Sequence, residues 1–214
     1  MMAMKTSPAD HLGQVRRALS TTTRDGQELR LLTVERTFDA TLEEVWDALT
    51  TAERISTWMT PVTGDLEPGG RYQLEGNAGG EVLACDPPER LALTWEDGDQ
   101  VSWVDVSLRP TDGGTLLQLD HSAPVDPAMW EQYGPGAVGI GWEMGLMGLA
   151  EHLADPAGPA PRDDLPDLGD YLTRSSAAWA EASIAAGTDP DAARAAGARC
   201  TAAYTGAPEA PPED

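Results

Sequence analysis

The chain has 214 residues, 14 Lys and Arg against 36 Asp and Glu, and a formal net charge of −22. That balance argues against a general phosphate-binding surface, because nucleic-acid affinity comes largely from basic residues that release counterions, and it disfavours binding to anionic membranes. With 41% hydrophobic residues and no apolar run near the ~20 residues that span a bilayer, the chain is long enough for one substantial domain plus an appendage.

Residues 1–28 are polar, without a signal-peptide core, so a cytoplasmic location is expected. Within them PADHLGQVRRALS offers a short helix, with Leu12, Val15 and Leu19 at helical spacing, and the segment is expected to be a loosely docked arm. LRLLTVERTF alternates Leu32, Val34 and Phe38 and predicts the first strand. Thr41 and Glu44 form a capping box, followed by Leu42, Val45, Trp46 and Leu49 at i, i+3, i+4 and i+7. Ile55, Trp58 and Met59 mark a second short helix that ends before Pro61. A meander of strands comes next. Tyr72 and Leu74 share one side of GGRYQLEG, and EVLACD follows the glycine-rich turn at 77–80. RLALTWE points Leu91, Leu93 and Trp95 inward, VSWVDVSLRP does the same with Val104, Val106 and Leu108, and TLLQLDH with Leu117, Leu119 and His121. Short turns between consecutive strands predict antiparallel pairing with one face buried.

Residues 137–153, AVGIGWEMGLMGLAEHL, predict a long helix that closes this sheet. Trp142, Leu146, Leu149 and Leu153 make one apolar stripe, and Gly141, Gly145 and Gly148 make a second beside it. A glycine inside a helix costs roughly 0.8–1.0 kcal/mol relative to alanine, so that stripe implies either close packing or space kept open. Met144 and Met147 form a third surface between Glu143 and Glu151. Residues 155–166 read as a Pro-rich linker, 167–206 as a helical hairpin and 207–214 as a disordered tail. The hairpin aligns Leu172 and Trp179 on one helix and Ala193, Ala196, Cys200 and Tyr204 on the next, too thin a surface for a core of its own. It is expected to cover Met144 and Met147, or else to pack on a second subunit in a homodimer.

The segments VERTFDATLEEVWDALTTAERISTWM, GDLEPGGRYQLEGN, EVLACDPPERLALTWE and GWEMGLMGLAEHL, in that order, resemble the bacterial homologues of the activator of heat-shock protein 90 ATPase. The terminal helices resemble an extension found in an actinobacterial branch. The resemblance implies membership of the START-like, or SRPBCC, superfamily over residues 29–154. It also implies an α+β helix-grip fold like that of the birch-pollen allergen: an antiparallel sheet wrapped around a long helix, with a cavity between them. The superfamily includes lipid carriers, aromatases and cyclases, and chaperone regulators, and it transfers no catalytic motif. Nothing here resembles the additional chaperone-binding domain of the eukaryotic cochaperone, so a chaperone partner is not implied.

The expected ligand is a small apolar or aromatic molecule, with Trp58, Tyr72, Trp95, His121, Trp142 and Gly145 at the cavity wall. The alternatives are an aromatase-, cyclase- or hydrolase-like enzyme in the same cavity, and a regulatory interaction domain whose interior is only core. No catalytic residue or cofactor is assigned. Cys85 and Cys200 are isolated thiols, and the three histidines are scattered, so no metal set is read. His11 is placed in the arm, His152 at the surface, and Glu35, Arg36 and Asp105 as outward strand charges.

Overall fold

The computed structural model describes residues 8–158 and 168–206, so most of the expected linker and all of the expected tail lie outside the described residues. In chain order the elements are α1 (Pro8–Gly13), β1 (Arg16–Arg24), β2 (Gln27–Phe38), α2 (Leu42–Thr50), α3 (Ala52–Trp58), β3 (Val62–Gly64), β4 (Arg71–Leu74), β5 (Gly79–Asp86), β6 (Arg90–Asp97), β7 (Gln100–Thr111), β8 (Gly114–Ala123), α4 (Pro127–Tyr133), α5 (Gly136–Ala154), α6 (Leu168–Ala185) and α7 (Pro190–Thr205). The strands form one antiparallel sheet in the order β1-β2-β8-β7-β6-β5-β4-β3. Its apolar face packs on α5: Val34, Val104, Val106 and Leu119 from the sheet join Ile140, Leu146 and Leu149 from the helix in one core. The fold is the α+β helix-grip arrangement.

Local signals explain most of the elements. The Thr41–Glu44 capping box is formed in both directions at the start of α2, and Asp126 caps α4 with Pro127 in its first turn. Inward alternation in β7 and β8 leaves Val104, Val106, Leu108, Leu117, Leu119 and His121 buried. Gly79 and Gly80, read as turn, open β5.

The expected loose arm is instead built into the sheet. Residues 16–24 pair with β2 along their whole length, from Arg16–Glu35 to Arg24–Gln27. The turn between them is Asp25-Gly26, with φ of 51° and 81°. That is the backbone a two-residue type I′ hairpin requires, and Asp-Gly supplies it at little steric cost. The strand escapes a hydrophobicity reading because its outer half is Ser20-Thr21-Thr22-Thr23-Arg24.

The back of α5 holds a charged layer. Arg17 of β1 donates to Glu143, which is 1% exposed, and Ser175 of α6 donates to the other carboxylate oxygen at 2.7 Å. Arg36 continues the inward row Leu32–Val34 and is buried, contrary to the outward reading that Glu35 and Asp105 fit better. Its guanidinium donates to Gln14 Oε1 and to His11 Nδ1, both at 2.9 Å, while His11 Nε2 meets Glu151 Oε1 at 3.0 Å. His11 is therefore buried and anchored. His152 is buried as well: Arg54 Nε donates to its Nε2 at 3.1 Å and Thr57 Oγ1 lies 3.0 Å from Nδ1, tying α3 to α5. A buried charge persists only where it is paired and hydrogen-bonded, and each partner here comes from another element that a single-segment reading does not see.

The hairpin α6–α7 packs on this back face within the same chain. Trp179, fully buried, lies against Gly139, where a Cβ would come within 2.2 Å of the indole. Tyr204 donates to the Ala137 carbonyl at 3.0 Å, and Arg199 donates to the carbonyls of Glu131 and Gln132. Met147 is buried and Met144 half-buried.

Candidate functional site: an apolar cavity between sheet and helix

Between α5, α3 and the inward face of β4 to β8 lies a cavity of about 140 Å³. Trp58 reaches it from α3, Tyr72 and Leu74 from β4, and Leu91, Leu93 and Trp95 from β6, while Gly141, Trp142 and Gly145 border it from α5. The three β6 residues are half-buried although they face inward, because part of their surface meets empty volume instead of side chains.

Three aromatic side chains of the wall spend their polar atoms on protein partners. Trp58 Nε1 donates to the Ala48 carbonyl at 2.9 Å, Tyr72 Oη to the Thr94 carbonyl at 2.7 Å, and Trp142 Nε1 to His121 Nδ1 at 3.1 Å. The Thr50 hydroxyl bonds back to the Trp46 carbonyl at 2.8 Å. Among the described residues, the lining contains no Asp, Glu, Lys, Arg or His. Cys85 contributes a thiol whose pKa is raised by burial and by neighbouring Asp86, which keeps it neutral. Burial also raises the Tyr72 phenol. Among the described residues, no group of three His, Cys, Asp or Glu could hold a metal ion.

Five of the six residues expected at the wall therefore meet there: Trp58, Tyr72, Trp95, Trp142 and Gly145. His121 does not. It stands behind Trp142, ring centroids 5.6 Å apart in an edge-to-face arrangement, and is itself buried. Burial alone pushes its pKa down to about 4, so it is neutral at physiological pH. Sequence reading missed Val82 and Cys85. They share the cavity despite odd spacing because the β5–β6 register shifts between Val82 and Ala84; a bulge inserts one residue and breaks the two-residue period.

The glycine stripe of α5 divides. Gly145 has open space beside it, since a Cβ there would meet nothing within 4 Å, and at Gly141 the nearest atom is Tyr204 Oη at 4.0 Å. Gly148 is buried. Outside the stripe, Gly139 packs closely against Trp179, and a Cβ at Gly136 would lie 3.0 Å from Cys200 Sγ.

An antiparallel sheet gripping one long helix across an apolar cavity defines a START-like, or SRPBCC, protein. Within that superfamily the chain belongs to the family described as Activator of Hsp90 ATPase homolog 1-like protein, which matches residues 39–154. It is similar to CalU16 from Micromonospora echinospora, whose crystal structure is 34% identical with a TM-score of 0.66, over 78% of this chain and 97% of that one. A protein from Mesorhizobium loti, MLL2253, is 27% identical with a TM-score of 0.52, over 60% and 99% of the two chains. The Aha1 dimer from Colwellia psychrerythraea shares the fold, at 16% identity and a TM-score of 0.52 over 60% and 98%. No curated protein matches the chain. Among the described residues, no helix is long and apolar enough to cross a membrane.

Proposed function

We propose that this domain binds a small apolar or aromatic molecule, about one ring in bulk, in the cavity between α5 and the sheet. The observation that carries the reading is the wall itself: empty volume faced by indole, phenol ring and aliphatic surface, with the polar atoms of Trp58, Tyr72 and Trp142 bonded elsewhere. A closed apolar cavity of about 150 Å³ takes up benzene, and this partly open one offers a similar volume. An enzyme would bring titrating groups with shifted pKa values together in the cleft; Cys85 and Tyr72 are both held neutral, and among the described residues no charged side chain lines the space. A purely structural interior would be filled.

Titration with toluene, followed by tryptophan fluorescence and the indole N–H signals, tests the reading. The expected result is one site of about −4 to −6 kcal/mol, that is, millimolar to tens of micromolar, weakened in a folded Trp95→Ala variant. Absence of saturable binding to the wild-type chain would refute it.

A further inference from the structure

Trp95 and Trp142 meet at the cavity wall as a corner, with centroids 4.7 Å apart and planes inclined by 59°. A chain of hydrogen bonds behind them joins the Trp142 indole to the main chain of Trp95. The Ser102 hydroxyl donates to the Trp95 carbonyl at 3.0 Å. Its proton being used there, its oxygen accepts from His121 Nε2 at 2.8 Å, and His121 Nδ1 is left as the acceptor for the Trp142 indole N–H at 3.1 Å. One neutral tautomer satisfies every link. The register explains the placement: Trp95 faces Ser102 across β6–β7, and His121 faces Val104 across β7–β8, so three adjacent strands point these groups to the same side.

We infer that His121 and Ser102 are positioning residues which fix the Trp95–Trp142 corner, and that the corner makes the cavity selective for flat aromatic rings over aliphatic molecules of similar size. The inference rests on the proposal that the cavity takes a ligand. A planar ring set into a tilted pair can lie on the electron-rich face of one indole and turn its electropositive edge to the other, a quadrupole interaction that saturated rings lack. It depends on the angle being held. Free rotation of Trp142 would leave an apolar wall with no ring preference.

The test compares toluene with methylcyclohexane on the wild-type chain and on two variants. Methylcyclohexane is the more water-averse of the pair, so each preference is expressed relative to the ratio of the two partition coefficients from water into a saturated hydrocarbon, which is the burial contribution alone. On that scale the wild type should prefer toluene by about two- to tenfold. His121→Leu should abolish that preference and move the Trp142 indole N–H signal toward that of a non-bonded indole. His121→Asn, whose amide oxygen can occupy the place of Nδ1, should keep the signal and hold the preference within about twofold. If His121→Leu does not fold, Ser102→Ala breaks the chain one link further back and should lower the preference in the same direction. No toluene preference on that scale in the wild type, or an unchanged preference in a folded His121→Leu or Ser102→Ala chain, overturns the inference and leaves the ligand-binding proposal standing. Failure of both hydrocarbons to bind refutes the cavity proposal and the inference with it.

Discussion

On the back of α5, Gly139 stands where the Trp179 indole lies, and a Cβ would come within 2.2 Å of that ring; on the front, a Cβ at Gly145 would meet nothing within 4 Å. Both positions carry the same intrinsic cost to a helix, roughly 0.8–1.0 kcal/mol relative to alanine. At Gly139 that cost is offset by burial of a whole indole. At Gly145 no contact among the described residues offsets it, and the missing side chain leaves open space at the edge of the cavity. The two faces differ in the same way in their polar groups. The back pairs its charges across elements, as in Arg17–Glu143–Ser175, whereas the front faces its cavity with ring and aliphatic surface. One helix thus carries a filled side that holds the chain together and an open side that borders the cavity.

The largest effect that can test this contrast comes from removing one indole from each side. Trp179→Ala empties a fully buried site and should destabilise the chain by about 3–5 kcal/mol. Trp95→Ala enlarges a space already partly empty and should cost clearly less, because fewer contacts are lost. Midpoints of denaturant unfolding read both. Equal losses would mean that the front is packed in solution, and the contrast would fail.

Acidification probes the front next. Burial lowers the pKa of His121 from 6.5 to about 4, so between those values the unfolded chain holds the additional proton. The stability that the neutral ring contributes is complete above pH 6.5 and is lost as pH falls toward 4, by up to about 3 kcal/mol. His11 and His152 are lowered in the same direction by burial and by Arg36 and Arg54 respectively, with Glu151 partly opposing at His11. The difference between wild type and His121→Asn isolates the cavity side: the variant should lose less stability between pH 6.5 and 4. Parallel stability curves would mean that His121 is not buried neutral.

Much of this architecture was legible because period two and period 3.6 report which face of an element is apolar. Leu91, Leu93 and Trp95 in β6, and Trp142, Leu146 and Leu149 in α5, were placed that way, and the structure sets all six around the cavity. What the period does not report is the partner. Arg36, His11 and His152 look like surface groups until β2, α1 and α3 are seen to deliver their hydrogen-bonding partners. The same limit put His121 in the wall. Its inward direction was right, but the alternation of β8 says nothing of Trp142 standing in front of it. The strand β1 was missed for a different reason, since its Thr-rich sequence lacks the alternation and its signal is the Asp25-Gly26 turn. Whether Gly141, Gly145 and Gly148 meant packing or space was likewise undecidable from spacing, because both need the same residue on the same face.

Alanine substitution at the two glycines gives the smallest effects and the sharpest comparison, because the change is one methyl group at each place. Gly139→Ala forces the new Cβ into the Trp179 ring, and overpacking of this kind costs about 1–3 kcal/mol; the helix-propensity gain recovers only part of it. Gly145→Ala meets no neighbour, so the propensity gain is realised and the chain should become more stable by about 1 kcal/mol. The methyl group takes up cavity volume in doing so, so toluene binding should weaken, and Gly145→Leu, which extends further into the space, should weaken it more. Stability and binding would then change in opposite directions at a single position, as expected where a helix gives up stability to keep a site open. A Gly145→Ala chain that is more stable and binds toluene as tightly as the wild type would show that this glycine does not shape the site.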